Sequence, residues 1–580
     1  MEISNRRIAK TLRDVAAAIT IEKSGNIFEI RAYENAADSI EHSTAEIHDL
    51  WEEGKLGEVP GLGEKLQKYL DELFTKGKVA HFEAIKRGIP TIFFDLLDIP
   101  GIGPKTAERI AKLGVKNIKD LEKQIKSGEL VVRKGFSAKV ARKIMDGINE
   151  STAREKGRML LPYAFYQVEK NLAYLKKSKD VLNAHSLGSL RRMVATVGDL
   201  DFSVSSHEPK KVVDHFCKMP GVKRIVDQGI NRTTVILKTG IQADLLVGHP
   251  DSYGALLQHS TGSKSHNIKL RTLAIEKGLS LSEYGVRKTS NKLVKTKTEE
   301  EFYKLLGMSV PPPELREDTG EIEAALEHKL PKLVELDDIK GDLHLHSNFP
   351  IEKPSHAPGV DSIEKIIEKA EELDYEYVGI SDHSPSFNLS KEKIIATIEK
   401  RTKFIQSIKQ STKSIRVLNG LEIDILGDGK LSVPDEALKT LDYCIAGIHS
   451  GHRGSKEIIT KRLITVLENP YVDIISHPTN RLLNERDSSE ADWDQIFKYA
   501  AKNNKLLEIN AFPNRLDLRD DLVKVALKYG VKFIINTDAH EVEQMNNMRF
   551  GISVARRGWV EAKDVINTWD WTEFKNWFKL

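Results

Sequence analysis

The stretch GDLHLHSNFP, residues 341–350, sets two histidines two positions apart between leucines. Alternation of this kind reads as a short strand whose His344 and His346 share a face. The pattern recurs downstream. YEYVGISDHS, RVLNGLEIDI, LDYCIAGIHS, YVDIISHP, KLLEINAFPN and KFIINTDAH are all short apolar runs that end in polar residues. Charged, helix-period stretches such as SIEKIIEKAEELD separate most of them. Apolar strands alternating with helices predict a parallel barrel, and in such barrels chemistry sits at the C-terminal ends of the strands. Nearly every run delivers a metal-type ligand at that end: His344, His346, His383, Glu422, His449, His477, Asp538 and His540. One such histidine is ordinarily a hydrogen-bonded core residue, but the same accident at almost every strand end is improbable. Imidazole and carboxylate together suit Mn²⁺, Zn²⁺ or Fe, and eight ligands exceed one ion's needs, so two or three ions are expected. A structural zinc site would close on four ligands, usually with cysteine.

The chain has 580 residues, a length that suggests roughly three to five domains. With 40% hydrophobic and 30% charged residues it has enough apolar material for several cores. Its two cysteines, Cys217 and Cys444, lie far apart and suggest no disulfide framework. The start, MEISNRRIAK, has no apolar signal core, and no apolar run approaches a membrane span, so a cytoplasmic location is expected. Net charge is only +3, but it is unevenly spread. Residues 1–100 carry 13 Lys+Arg against 18 Asp+Glu, whereas 101–150 carry 12 against 6.

That shift coincides with a repeat. VPGLGEKLQKYLDEL from Val59 is echoed by IPGIGPKTAERIAKL from Ile99. Each is apolar–Pro–Gly–apolar–Gly followed by a helix-period run. The glycines predict a tight turn that exposes unpaired amides at the next helix N-terminus, where an anion such as phosphate is favoured. GFSAKVARKI from Gly135 lacks the second glycine and is not counted as a third copy. The pattern resembles helix-hairpin-helix motifs, which grip the DNA backbone without reading sequence. The resemblance implies DNA contacts at Gly61, Gly63, Gly101, Gly103 and Lys105.

In LGSLRRMVATVGDLDFSVSS, from Leu187, Asp199 and Asp201 form a strand-like D-x-D whose two carboxylates face one way. RTTVILKTGIQADLLVG then reads as two strands broken at Thr239-Gly240, with Asp244 on the second. Three converging carboxylates repel one another unless divalent cations neutralise them, and hard oxygen ligands suit Mg²⁺. A lone D-x-D is more often a solvated sheet edge. Here Gly188-Ser189 allows close phosphate approach just upstream, and Arg191-Arg192 supplies guanidiniums for its charge.

GS-x-RR, then D-x-D, a third Asp and TGSKSHN from Thr261 together resemble the nucleotidyltransferase palm of family X DNA polymerases. The resemblance implies that Asp199, Asp201 and Asp244 hold two Mg²⁺ or Mn²⁺ ions, with Asp244 as base for the primer 3′-hydroxyl. It places Gly188, Ser189 and Arg192 on the incoming triphosphate, and Gly198, Thr261 and Gly262 at the nucleotide site. Asn267 matches a residue at the nascent base pair, and Arg271 one near the templating base. Where the family often has an aromatic beside the incoming sugar, this chain has Ser260, which implies weak selection against ribonucleotides. Aligning PGLG puts Tyr69 where some relatives carry a Schiff-base lysine. A tyrosine cannot form that imine, so no 5′ sugar-phosphate lyase is expected there.

The C-terminal stretch, residues 340–575, resembles the PHP (polymerase and histidinol phosphatase) domain. That family often carries a further ligand soon after HxHS. HSNFPIEKPSHAPGV offers Glu352, His356 or Asp361 in its place. Asp382, beside His383, is expected to orient rather than coordinate. Asn510 and Arg515, at another strand end, are candidates to receive substrate phosphate.

The whole chain thus resembles bacterial and archaeal family X polymerases with a C-terminal PHP domain. The expected fold is multidomain α/β, with helical helix-hairpin-helix N-terminal domains, a nucleotidyltransferase-type mixed-sheet palm and a (β/α)-barrel-like PHP domain. Expected limits are 1–85 and 86–150 for the two helical domains, 151–250 for the palm and 251–316 for a nucleotide-selection subdomain. Pro311–Pro313 and the polar residues after them predict a linker over 317–339, before a PHP domain over 340–580. The implied function is a monomeric DNA polymerase that fills short gaps from dNTPs on gapped or nicked duplex. Its barrel would cleave phosphodiesters with a metal-activated water, as a 3′–5′ exonuclease and at abasic sites. Two alternatives remain open: a nuclease with a vestigial polymerase, or a DNA-binding scaffold whose barrel hydrolyses a small phosphate ester.

Overall fold

The computed structural model describes residues 5–21, 26–41, 47, 51, 54, 56–59, 62–97, 99, 102–127, 129–130, 133, 136, 140–141, 144–145, 148, 158–288, 290 and 292–580. The chain divides into two compact units, Met1–Gly157 with Lys238–Gly240, and Arg158–Leu237 with Ile241–Leu580. Among the described residues no helix is long and apolar enough to cross a membrane.

The first unit is helical, and its amphipathic runs close two cores. Helices α1 (Asn5–Ile21), α2 (Ile27–Glu41), α3 (Glu64–Lys76) and α4 (Ala80–Lys86) share the first. Leu66, Leu70, Leu73 and Phe74 recur at helical spacing on α3 and are buried there. Helices α5 (Thr91–Leu97), α6 (Pro104–Ala111) and α7 (Ile118–Lys126) close the second around Phe93, Leu96, Ile110 and Leu121. Tyr69 stacks on His81 with centroids 5.0 Å apart and meets Phe82 edge-on, so it is an aromatic core contact.

The second unit begins with a five-stranded sheet: β1 (Asn183–Ser186), β2 (Leu200–Ser205), β3 (Val222–Gln228), β4 (Arg232–Leu237) and β5 (Gln242–Gly248) in spatial order β1-β2-β5-β4-β3. The sheet is mixed, because β2 and β5 run parallel while the other pairs are antiparallel. Helix α8 (Leu161–Leu175) and helix α10 (Pro209–Cys217) bury Val168, Leu175, Val212 and Phe216 in the core that also takes Phe202 and Val204 of β2. The four-residue helix α9 (Gly188–Arg191) follows β1. Beyond β5 come α11 (Tyr253–Thr261), α12 (Lys264–Glu276), a three-stranded antiparallel sheet (β6–β8, Leu279–Ser282, Gly285–Lys288 and Leu293–Val294) and α13 (Glu299–Leu305).

The stretch 317–339, expected as a linker, is packed instead. Helix α14 (Glu321–Leu326) drives Ile322 and Ala325 into the core formed by α11, α12 and α13. Its Glu321 is fully buried because His266 Nδ1 lies 2.7 Å from its Oε1, while the backbone amides of Asp318 and Thr319 donate to the same carboxylate. Val334 then hydrogen-bonds to the Val560 carbonyl at 3.0 Å.

Seven parallel strands in sequence order form the last part, β9 (Gly341–Asp342), β10 (Tyr377–Ile380), β11 (Arg416–Asp424), β12 (Tyr443–Gly447), β13 (Ile474–Ile475), β14 (Leu506–Asn510) and β15 (Phe533–Asn536). A parallel bridge between Leu345 and Ala539 joins the first strand to the last, so the barrel is nearly closed. At its N-terminal end Leu343, Tyr377, Leu418, Tyr443 and Ile534 form an apolar layer, sealed by Phe574 of the C-terminal helix Trp571–Phe578. That plug leaves the opposite end free for chemistry.

One buried ion-pair network ties α9 to α11 and α13. Glu299 accepts from Arg191 Nη2 at 2.5 Å and from Arg316 Nη1 at 2.5 Å, and Arg191 Nη1 also donates to Thr261 Oγ1. Burial by itself would raise the Glu299 carboxyl, but the charges of Arg316 and Arg191 outweigh it and hold it down at about 2. A carboxyl depressed on folding stabilises the native state above its unfolded value of 4.5, and that contribution is lost as pH falls toward about 2. Glu299→Gln strands two guanidiniums and should cost roughly 3 kcal/mol at neutral pH. The melting temperatures of wild type and variant should therefore converge on acidification, and a gap that stays constant from about pH 6 to about pH 3 would contradict the pairing.

Candidate functional site

Two separate clusters gather the residues singled out above. The first lies on the mixed sheet. Parallel pairing of β2 with β5 sets Asp201 directly opposite Asp244, and Asp199 precedes β2 by one residue on the same face. One carboxylate oxygen from each lies within 4.8 Å of the others. Burial pushes the Asp201 carboxyl up to about 7, and the charges of Asp199 and Asp244 add to the rise. Three negative groups this close could hold a divalent ion, and the donor set fits, since every atom is a hard carboxylate oxygen. Asp244 is held from both sides, by Thr234 Oγ1 at Oδ1 and by Gln242 Nε2 at 2.8 Å on Oδ2.

Gly188 faces this cluster with φ +56°, and a Cβ there would stand 2.6 Å from Asp201 Oδ2. Only glycine admits both the backbone angle and the close approach. Ser189, next along α9, lines a cavity of about 340 Å³ together with Arg192. The two neighbouring arginines diverge. Arg191 is committed to Glu299, whereas Arg192 donates to the Thr261 carbonyl at 2.5 Å and to Glu317 at 3.0 Å. Thr261 and Gly262 end α11 beside that guanidinium. Asn267 donates to the His259 carbonyl at 2.7 Å and accepts from Gln258, so it braces the turn that carries Ser260. Arg271 is exposed, 3.4 Å from His259 Nδ1. Gly198, also exposed, sits one residue before Asp199.

The second cluster fills the open end of the barrel, and all eight expected ligands meet there. Glu422 stands at its centre. Its Oε2 lies 3.3 Å from His344 Nε2, 3.7 Å from His346 Nε2 and 2.9 Å from His383 Nδ1. Its Oε1 lies 3.2 Å from His449 Nε2 and 3.1 Å from His477 Nε2. Asp538 Oδ1 is 3.1 Å from His346 Nε2, and His540 Nε2 is 3.4 Å from His383 Nε2. Glu422 Oε2 and His344 Nε2 are both buried and neither makes a hydrogen bond. Donor atoms that crowd without bonding one another fit divalent ions held between them, and the two oxygens of Glu422 facing different histidines fit a carboxylate that bridges two ions.

A second ring of buried groups orients these ligands, and the sequence reading missed it. Glu508 lies 2.7 Å from His344 Nδ1 and accepts the His477 amide at 2.8 Å. Asp424 Oδ1 lies 2.7 Å from His449 Nδ1. Both are carboxylate–histidine supports of the kind that fix ring orientation. Asp382 accepts from Arg401 Nε at 2.7 Å and from the Ser347 amide, so it orients the loop after His346, as expected. Asn510 does not face outward for a phosphate, since its amide donates to Glu508 at 3.0 Å and Asp538 at 3.2 Å. Arg515 does lie beside the cluster, 3.6 Å from Asp538, with its buried Nη1 making no hydrogen bond. Of the three substitutes for the missing ligand, Glu352 pairs weakly with Lys393 in solvent, and Asp361 takes the Val542 amide and Lys365. His356 alone reaches the cluster, its ring centred 4.9 Å from His383 and 4.4 Å from His449.

In the helical unit, Gly63 and Gly103 precede α3 and α6 with ordinary φ values of −67° and −89°. A Cβ at either would meet nothing within 4 Å. The expected tight turn is therefore not what these two glycines serve. Lys105 is exposed on the first turn of α6. Gly61 and Gly101 lie outside the described residues.

Over 564 residues the chain is 34% identical to the DNA polymerase/3′-5′ exonuclease PolX of Bacillus subtilis (strain 168), covering 97% of this chain and 96% of that protein. The chain belongs to the PolX family. Its parts match in the same order: a helix-hairpin-helix domain at 3–79, a SAM-like helix-hairpin-helix tandem at 93–150, a DNA polymerase beta thumb at 256–317 and a PHP domain at 342–512. The barrel end of this PolX chain also resembles stand-alone proteins. A probable phosphatase of Clostridium botulinum (strain Langeland) is 30% identical over 189 residues, 30% of this chain and 70% of that protein. One of Thermoanaerobacter sp. (strain X514) is 27% identical over 174 residues, 28% of this chain and 69% of that protein.

If the barrel cluster holds ions between its donors, replacing His344 and His346 together by alanine should lower the metal content of the purified chain by about one ion or more. Elemental analysis of both proteins reads this directly, and equal metal in the two would reduce HLH to a buried strand.

Proposed function

We propose that this PolX chain is a DNA-directed DNA polymerase that fills short gaps in duplex DNA from dNTPs, with a 3′–5′ exonuclease in its barrel. The observation that carries the reading is the in-register pairing of Asp201 with Asp244, one residue from Asp199, beneath a glycine that leaves room for a phosphate. Arg192 and the backbone at Gly188-Ser189 bind the triphosphate, and the turn braced by Asn267 seats the sugar and base. Asp244, oriented by Thr234 and Gln242, takes the primer 3′-hydroxyl proton. Mg²⁺ or Mn²⁺ fits the all-carboxylate site and would supply charge neutralisation for the phosphates and the leaving pyrophosphate. Gly63, Gly103 and Lys105 favour contacts with the phosphate backbone of gapped or nicked DNA.

In the barrel, the mixed histidine and carboxylate set favours Mn²⁺, Zn²⁺ or Fe, which would supply an acidified water for phosphodiester hydrolysis. Glu422 would serve ions on both of its oxygens, Glu508 and Asp424 hold the ligating rings, and His356 adds a donor beside His383 and His449. Arg515 offers its unpaired guanidinium nitrogen to the scissile phosphate. A vestigial polymerase fits poorly with an intact carboxylate triad, and a small-ester phosphatase is the reading that the stand-alone relatives keep in view.

The test is a gapped duplex with dNTPs and Mg²⁺ or Mn²⁺, following primer growth and shortening together. Asp201→Ala should abolish extension and leave DNA degradation at the wild-type rate, since the two clusters are separate. Extension at the wild-type rate would remove the palm assignment, and hydrolysis of small phosphate esters without DNA shortening would favour the phosphatase reading. Ser260 leaves the sugar without an aromatic wall, so discrimination against ribonucleotides should be weak. A measured preference above roughly a thousandfold, about 4 kcal/mol, would overturn that expectation.

A further inference from the structure

A barrel residue reaches into the nucleotide site of the palm. Arg557 ends helix Met548–Arg557 of the barrel, and its side chain is 10% exposed. Its Nη1 donates to the Arg192 carbonyl at 2.8 Å and to Glu317 Oε1 at 3.0 Å, while its Nε donates to Asp520 at 2.7 Å. The same Glu317 oxygen accepts from Arg192 Nε at 3.0 Å. One carboxylate oxygen is thus shared between the arginine placed on the incoming triphosphate and an arginine of the barrel.

The sharing matters because Glu317 and a triphosphate compete for one guanidinium. Left alone with Arg192, Glu317 would close a part-buried ion pair that the nucleotide must break. It would then remain as an unpaired carboxylate beside the entering phosphates. With Arg557 present, Glu317 keeps a cationic partner when Arg192 turns to the nucleotide. Arg557 also pins the carbonyl at the end of α9, a helix of four residues with little stability of its own. The wall of the 340 Å³ cavity beside Ser189 is built from the same groups, Arg192, Glu317, Asp520 and Arg557.

We propose that Arg557 of the barrel is a positioning residue for the polymerase reaction, holding Glu317 so that Arg192 is released to the incoming nucleotide. The inference rests on the palm reading given above. It makes the PHP barrel a working part of nucleotide binding through a residue remote from its own ligand cluster.

The test is single-nucleotide gap filling by the full chain, with the 3′–5′ degradation rate of the same preparation as the measure of an intact barrel. Arg557→Ala and Arg557→Gln should each raise the KM for dNTP roughly tenfold, with a smaller change in kcat and unaltered degradation. If one variant fails to fold, the other carries the test. Adding Glu317→Gln to either should return KM toward the wild-type value, because the competitor for Arg192 has lost its charge. A purely structural contact predicts the opposite, a second loss that adds to the first. An unchanged KM in a folded Arg557 variant, or a double variant worse than the single, overturns the inference. Failure of the palm reading is told apart by Asp201→Ala, which would then extend primers normally.

Discussion

Glu422 sits where five histidines converge, and the open end of the barrel is arranged around it. A carboxylate buried to 1% exposure is costly unless positive charge surrounds it. Imidazoles supply that charge only in part, because crowded rings cannot all carry a proton. Divalent ions between the rings and the carboxylate would remove the conflict, and the unbonded approach of His344 Nε2 to Glu422 Oε2 at 3.3 Å fits them. The parallel register then follows as a requirement. Only strands running the same way, and plugged at the other end by Phe574, bring every C-terminal ligand to one point.

The palm solves the same problem with different chemistry. Asp201 and Asp244 stand opposite each other on strands paired in register, and Asp199 precedes one of them, so the backbone itself holds the three carboxylates close. Burial and the charges of Asp199 and Asp244 push the Asp201 carboxyl up to about 7, so a cation bound there would have to displace a proton. Nitrogen donors are absent from this group of three, whereas they dominate in the barrel. On the proposed reading, the oxygen-only group would suit ions that follow phosphates and the mixed group ions that acidify water.

What was legible in the sequence was whatever repeats or has a fixed spacing. The eight strand-end ligands could be read because they close apolar runs, and the D-x-D because a strand sends alternate residues to one face. The supports were not legible. Glu508 lies inside the apolar run LLEIN, where a single carboxylate gives no periodic signal, and its meaning appears only once His344 is 2.7 Å away. Arg191 and Arg192 look equivalent as a pair. A helical turn points them about 100° apart, sending one to Glu299 and the other to the cavity. The stretch 317–339 reads as a linker because Pro311–Pro313 just before it read as a stiff connector, yet Glu321 is buried against His266. Gly63 and Gly103 stand before helices as the repeat predicts, but their ordinary φ values need no special turn.

Several ion pairs of the second unit join different elements of the fold. Glu299 connects α9 to Arg316, Glu317 connects Arg192 to Arg557, and Glu314 takes Arg556 at 2.8 Å. As stabilisers such pairs are poor, since apolar residues of equal volume often serve as well. They differ from apolar contacts in what breaks them: a guanidinium can be drawn away by a phosphate, and a leucine cannot. If Arg192 binds the triphosphate as proposed, pairs on both sides of it would tie the packing of the palm, the thumb-like segment and the barrel to the occupancy of that site. Uniform apolar packing would hold the same parts together but would leave them indifferent to the nucleotide.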